Sequence, residues 1–288
     1  MLRLQFTVEL SYEIEPPGCD FIFNLHAAQT AQQLVVKESL SNSQQLSSSV
    51  YVDAVTQNRY LRLKARAGKL TMNYSATVDL DHVKTAPDLL REVAVADLPS
   101  EVLPYVYPSR YCESDRLHRL AVQEFGKLPK GYARVLAIQD WVRKRTTFRA
   151  NSSTGTTTAV DTLVEQVGVC RDFAHLMIAL CRALNMPARF ATGIDFGLDL
   201  SLRGHDFHAY VEVYLGQRWY VFDPSGVADP IGLVRIGTGR DAADSAFATI
   251  FGGVRGASPV IHIEAIANAQ GQLLPVGDSL PQALSTAA

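Results

Sequence analysis

The chain has 288 residues, 47% of them hydrophobic and 19% charged, enough apolar content for one large or two ordinary globular domains with a full core. A formal net charge of −2, with 27 Lys and Arg against 29 Asp and Glu, lacks the basic excess of a general nucleic-acid binder. No stretch approaches the ~18 consecutive apolar residues of a membrane helix, so no membrane partner is expected.

The N-terminus, MLRLQFTVELSYEIE, alternates apolar and polar residues from the start and lacks the apolar run of an export signal, which makes a cytoplasmic location the expectation. Residues 1 to about 85 read as all-β. RYLRLKARAGKLTMNYSATVDLDHV shows the same two-residue alternation, with Ala67-Gly68-Lys69 as a predicted hairpin turn and LSNSQQLSSS as a polar loop. Short strands with such turns predict a β-sandwich over residues 1–98. The segment LPSEVLPYVYPSRYCESD then places three prolines within ten residues, so it is extended and marks the domain boundary, with residues 99–288 as the second domain. Helices follow near 114–125 and 131–146, the second with Val135, Ile138, Trp141 and Val142 at helical spacing. RANSSTGTTT, residues 149–158, is a small-residue loop suited to a mobile rim.

In GVCRDFAHLMIALCRAL, residues 168–184, an apolar stripe runs through Phe173, Leu176, Met177, Leu180, Cys181 and Leu184. Asn185 and Pro187 stop this helix, and Gly168 frees the chain to turn before it. Cys170 thus lies in the first turn, where unpaired N–H groups and the positive end of the dipole favour a thiolate and can hold an oxyanion. A helix N-terminus can bring a thiol from about 8.5 to roughly 3.5–7.5. Buried structural thiols are nonetheless common, and Cys181 inside the stripe reads as one. His175, five residues and about 500° of helix past Cys170, points away and reads as packing.

The run HDFHAYVEVYLGQRWYVFDPSG, residues 205–226, predicts a hairpin with a type II′ turn at Gly216-Gln217. That register pairs Leu215 with Arg218 and places Tyr210 opposite Asp223. His208 and Asp223 then share a face as diagonal neighbours, about 7–8 Å apart at the backbone. An aspartate on one imidazole nitrogen fixes the tautomer and leaves the other to exchange a proton with a nucleophile. His205 and Asp206, just before the strand, are competing candidates.

Three other signals carry less. GTGRDA, Gly237 to Ala242, fits a dinucleotide-loop spacing, but no βαβ unit surrounds it and Glu264 falls slightly late for the acidic partner. The four cysteines (Cys19, Cys112, Cys170, Cys181) have no CxxC spacing, and Cys170 and Cys181 are ~16 Å apart along a helix, too far to share a metal. Reduced thiols, no metal and no cofactor are expected. The aromatic hairpin (Tyr210, Tyr214, Trp219, Tyr220, Phe222) reads as sheet core rather than a base-stacking platform.

GVCRDFAHLMIALCRALNMPARF and FHAYVEVYLGQRWYVFDPS together resemble the bacterial transglutaminase-like superfamily, with its G-x-C helix, its H-A-aromatic strand and an aspartate closing the next strand. PSRYCESD, IGTGRDAADSAFATIFG and the β-rich N-terminus are similar to segments of that subfamily. The resemblance implies an α+β fold, a β-sandwich before a papain-like core of helices on an antiparallel sheet. It implies Cys170 as nucleophile, His208 as general base and then acid, and Asp223 as the orienting partner. The implied reaction is attack on an amide carbonyl of a peptide or protein substrate, a thioester, and release to water or an amine. The absence of an acidic calcium loop favours hydrolysis over crosslinking. Trp141 is a candidate for the aromatic oxyanion donor of crosslinking relatives, although its helical stripe reads as core. The alternative is a protein-binding scaffold that has lost its chemistry; the joint presence of Cys170, His208 and Asp223 favours the enzyme.

Overall fold

The computed structural model describes residues 1–196, 206–267, 270–271 and 282–286. It begins with the strands β1 (Leu2–Ile14), β2 (Cys19–Phe23), β3 (Gln33–Asn42), β4 (Ser49–Val52), β5 (Arg59–Ala65), β6 (Gly68–Leu80) and β7 (Val83–Thr85). Alternation does the folding here. Leu4, Phe6, Val8 and Leu10 of β1 and Leu70, Met72, Tyr74 and Ala76 of β6 are buried while their neighbours face outward, and the two strands pair along their full length. Phe21, Phe23, Leu61 and Leu63, on β2 and β5, close the same core from a second sheet. The turn at Gly68, which has φ +107°, is therefore not a hairpin: β5 pairs with β2 and β4, whereas β6 pairs with β1 and β3, so the chain crosses between sheets there.

The second half supplies α1 (Ser114–Phe125), α2 (Tyr132–Arg145), β8 (Thr147–Phe148), α3 (Ala159–Glu165), β9 (Val167–Gly168) and α4 (Cys170–Ala183). It continues with β10 (Ala188–Asp195), β11 (Phe207–Leu215), β12 (Arg218–Phe222) and β13 (Leu233–Gly239), which form an antiparallel sheet in the order β12-β11-β10-β13. Helix α4 is more than an amphipathic helix with one apolar stripe. Every residue in it except Arg171 is buried, because α1, α2 and α3 cover the sides that the sheet does not. Asn185, in the left-handed conformation at φ 62°, ends it before Pro187 as expected. The buried carboxylate of Glu212 is partnered inside the fold. Glu212 on β11 holds Arg189 at 2.7 Å, pairs with Arg235, and accepts from the Thr286 hydroxyl at 2.9 Å.

The last strands, β14 (Ala248–Phe251), β15 (Val254–Gly256), β16 (Val260–Ala265) and β17 (Ala283–Ser285), go back to the beginning of the chain. Strand β14 pairs with β2, β15 and β16 pair with β1, and β17 pairs with β7. Residues 248–265, expected in the second domain, thus complete the sandwich. Ile194 of β10 and Val234 and Ile236 of β13 also pack into the sandwich core, so the two halves share apolar surface.

Candidate active site

The approach to α4 is tightly built. Val169 donates its N–H to the fully buried Asp172 carboxylate at 2.9 Å, capping the helix from its third position. Gly168 serves this cap, because a β-carbon there would stand 2.7 Å from Asp172 Cβ. Gly168 does not have a positive φ, so it is needed for close approach rather than for a special turn. Arg171, against Asp172, donates to the Ser153 hydroxyl and the Thr154 carbonyl, each at 2.5 Å. The Tyr111 hydroxyl donates to the Gly155 carbonyl at 2.7 Å. The small-residue segment 149–158 is therefore fastened to the mouth of the helix.

The hairpin register is the expected one, from Leu215↔Arg218 to Val211↔Phe222. Its turn differs in type. Gly216 and Gln217 have φ of 53° and 72°, and two positive values make it type I′ rather than II′. His208, opposite Gly193 of β10, lies on the part of β11 that extends beyond its pairing with β12, Asp223 lies just after β12, and the imidazole Nε2 stands 3.2 Å from Asp223 Oδ2. Asp223 is held in place by the turn it initiates. Its Oδ1 accepts from the Ser225 N–H at 2.9 Å and the Ser225 hydroxyl at 2.6 Å, and its Oδ2 accepts from the Ala228 N–H at 3.1 Å.

His208 and Cys170 line the same cleft, so the imidazole interacts with the thiol as well as with the carboxylate. Burial opposes charge on His208, but the negative Asp223 and the bonds to Asp223 and Cys170 prevail and raise its pKa to about 10. Burial likewise opposes charge on Asp223, and the imidazolium with the Ser225 and Ala228 bonds outweighs it, holding the carboxyl below its usual range. An ionised pair at neutral pH is the result.

Cys170 is 8% exposed and opens on a cleft of about 290 Å³. Tyr111, Arg171, Phe190 and Phe207 line it from the second half of the chain. Asn24, at the end of β2, and Ser245 to Ala248, leading into β14, line it from the sandwich side. None of these lining residues was identifiable from local sequence. The Asn24 amide atoms and the Ser245 hydroxyl are buried with no hydrogen-bond partner, a state that costs about 1–3 kcal/mol per group.

The other candidates take structural places. His175 is fully buried, stacks on Tyr111 at 5.0 Å and accepts from the Ala242 N–H at 3.2 Å. Asp206 is exposed and accepts from the Phe207 N–H at 2.7 Å, while His205 lies outside the described residues. The Trp141 indole donates to Glu124 at 3.0 Å and does not line the cleft. GTGRDA ends β13 and enters a turn with no helix after it, and Asp241 there accepts from the Tyr111 N–H at 2.9 Å. The aromatic residues of the hairpin are buried. Among the described residues, no three His, Cys, Asp or Glu side chains are grouped to hold a metal ion, and no helix is long and apolar enough to cross a membrane.

Comparison with known proteins bears on the fold that carries these residues. Residues 119–224 match the model of the transglutaminase-like superfamily core, and residues 2–101 match that of the bacterial transglutaminase N-terminal domain. A crystal structure from Cytophaga hutchinsonii, described as a "putative cysteine protease", is 37% identical, covers 99% of this chain and 97% of its own, and superposes with a TM-score of 0.88. An uncharacterized protein of Mycobacterium leprae is 26% identical over 195 residues, which is 64% of this chain and 68% of that protein.

Proposed function

The chain belongs to the transglutaminase-like superfamily, and from that premise we propose that it is a thiol peptidase or amidohydrolase working through Cys170, His208 and Asp223. The observation that carries this reading is the single imidazole that borders the same cleft as the thiol at a helix mouth and stands 3.2 Å from a buried carboxylate. Since Nε2 faces Asp223, Nδ1 is the nitrogen left for the thiol.

In this mechanism the Cys170 thiolate attacks the carbonyl carbon of an amide, forming a C–S bond and an oxyanion near the first-turn N–H groups of α4. Imidazolium His208 protonates the leaving nitrogen as the C–N bond breaks, leaving a thioester. Neutral His208 then takes a proton from water, whose oxygen attacks the thioester. Collapse breaks the C–S bond, releases the acid and restores the thiolate–imidazolium pair. Asp223 does not change protonation; it orients the ring and stabilises its charge.

The test is the pH dependence of Cys170 alkylation by iodoacetamide in the wild type and in His208→Ala. Rapid alkylation near pH 6 that slows sharply in the variant is the expected result. A thiol that titrates near 8.5 in both proteins, or that cannot be alkylated in the folded state, overturns the proposal and leaves a non-catalytic scaffold as the reading.

A further inference from the structure

Two asparagines flank Gly237 and are used in opposite ways. A β-carbon at that glycine would stand 2.4 Å from Asn24 Nδ2 and 3.0 Å from Asn58 Oδ1, so its missing side chain is what admits both carboxamides. Asn58 commits every polar atom to the fold: Nδ2 donates to the Thr238 carbonyl at 2.7 Å and the Tyr60 hydroxyl at 3.0 Å, and Oδ1 accepts from the Thr238 N–H at 2.9 Å. Asn24 is 1% exposed, and neither its Nδ2 nor its Oδ1 has a partner. Its backbone N–H is bonded to the Phe247 carbonyl at 2.9 Å, so the residue is fixed in place while its carboxamide is left unsatisfied beside the Cys170 cleft. The Ser245 hydroxyl lines the same cleft, also buried and without a partner.

The walls around these groups are apolar. Phe207 and Phe247 stack with centroids 4.9 Å apart, and Phe190, Ala209 and Ala242 complete the surroundings. Arg171 is charged but is engaged with Asp172, Ser153 and Thr154. A carboxamide offers one acceptor and two donors, which complements the N–H and C=O of a secondary amide.

We propose that Asn24 is a substrate-binding residue, its carboxamide holding a main-chain amide of a peptide next to the scissile bond, in a subsite whose walls take an uncharged apolar side chain. This rests on the peptidase reading above. It also gives the sandwich a part in recognition, because Asn24 belongs to the N-terminal half of the chain. An unpaired buried carboxamide is what a site specific for a hydrogen-bonding substrate presents when no substrate is bound, and such sites reject analogues lacking the bond.

The experiment labels Cys170 with acetyl-phenylalanyl-glycine chloromethyl ketone and with the analogue whose Phe–Gly amide is an ester, in the wild type, Asn24→Leu and Asn24→Ala. Iodoacetamide is run in parallel. The wild type should react with the amide label at least about tenfold faster than with the ester, and both variants should bring that ratio to about one. Asn24→Leu should melt no lower than the wild type, because it replaces an unsatisfied polar group by an apolar one of similar size; Asn24→Ala, which cannot clash, carries the test if the leucine variant fails to fold. A wild-type ratio near one, or a ratio unchanged in the variants, overturns the proposal while leaving the peptidase reading intact if iodoacetamide still finds an activated thiol. An unactivated thiol removes both.

Discussion

Cys170 and Cys181 lie on the same helix, three turns apart, and both are buried in the same core, yet their polar surroundings differ. Cys181 sits among apolar side chains, and burial pushes its thiol pKa far up, so it remains protonated and inert. Cys112, packed in the same core, is pushed up to about 12 for the same reason. Cys170 touches an imidazole paired to a carboxylate and borders a cleft. The difference lies in position along the helix. The N-terminal end presents N–H groups and lies where β11 and β12 bring His208 and Asp223 together, whereas the C-terminal end is organised around buried Arg182. That guanidinium donates to the carbonyls of Tyr107, Ala188 and Arg240 and to the Ser109 hydroxyl.

The largest expected effects exchange the roles of the two cysteines. Cys170→Ala should lower amide hydrolysis by about 10⁴-fold or more and leave the melting temperature nearly unchanged. Cys181→Ala should do the reverse, leaving Cys170 alkylation as in the wild type and costing about 1 kcal/mol of stability from the vacated space. Chemical denaturation and turnover measured on both proteins check this; equal loss of activity in the two would show that the contrast is false.

The next effect concerns the pair that sets Cys170 apart. Asp223→Asn removes the charge that holds the His208 pKa near 10, so the ring should titrate closer to its ordinary 6.5 and the alkaline limb of the rate profile should move down with it. The sign for stability follows. A raised histidine contributes stability that is complete below about 6.5 and is lost as pH rises through about 10. The lowered Asp223 contributes stability above about 3.8 that is lost as pH falls through its folded pKa. Urea unfolding from pH 3 to 11 should therefore show a wild-type plateau between roughly 4 and 6.5 that is weaker in Asp223→Asn. Parallel curves for the two proteins would mean that the pair is not ionised.

How much of this was legible in the sequence depended on the range of the interaction involved. The cysteine helix, its Asn185 stop and the hairpin register follow from local rules of period and turn, and the register carried His208 and Asp223 to each other. The type I′ turn was missed because Gln217 does not advertise a positive φ. Helix α3 was missed although its signal was present: Thr158 and Asp161 cap each other, Asp161 accepting from the Thr158 N–H at 2.9 Å. The return of β14 to β16 into the sandwich and the arrival of Asn24 at the cleft are long-range pairings. No periodicity within a strand names the partner strand, so these could only be seen in the folded chain.

Among the substitutions on the Cys170 side, the smallest expected change in reactivity is at Gly168, and it sharpens the contrast most finely because it touches neither thiol nor imidazole. A methyl group there meets the Asp172 Cβ at 2.7 Å and Oδ2 at 3.1 Å, and Asp172 has no room to retreat because it is fully buried. The carboxylate must move, weakening its bond from the Val169 N–H and its contacts with Ser153 and Arg171. Gly168→Ala should cost about 1–3 kcal/mol by overpacking and slow Cys170 alkylation modestly, since the thiol follows directly on the displaced cap. Loosening of the Ser153 and Arg171 ties should also quicken proteolysis within 149–158. If stability falls while alkylation is unchanged, the Asp172 cap supports the helix without positioning the thiol, and the special character of Cys170 comes from the His208 side alone.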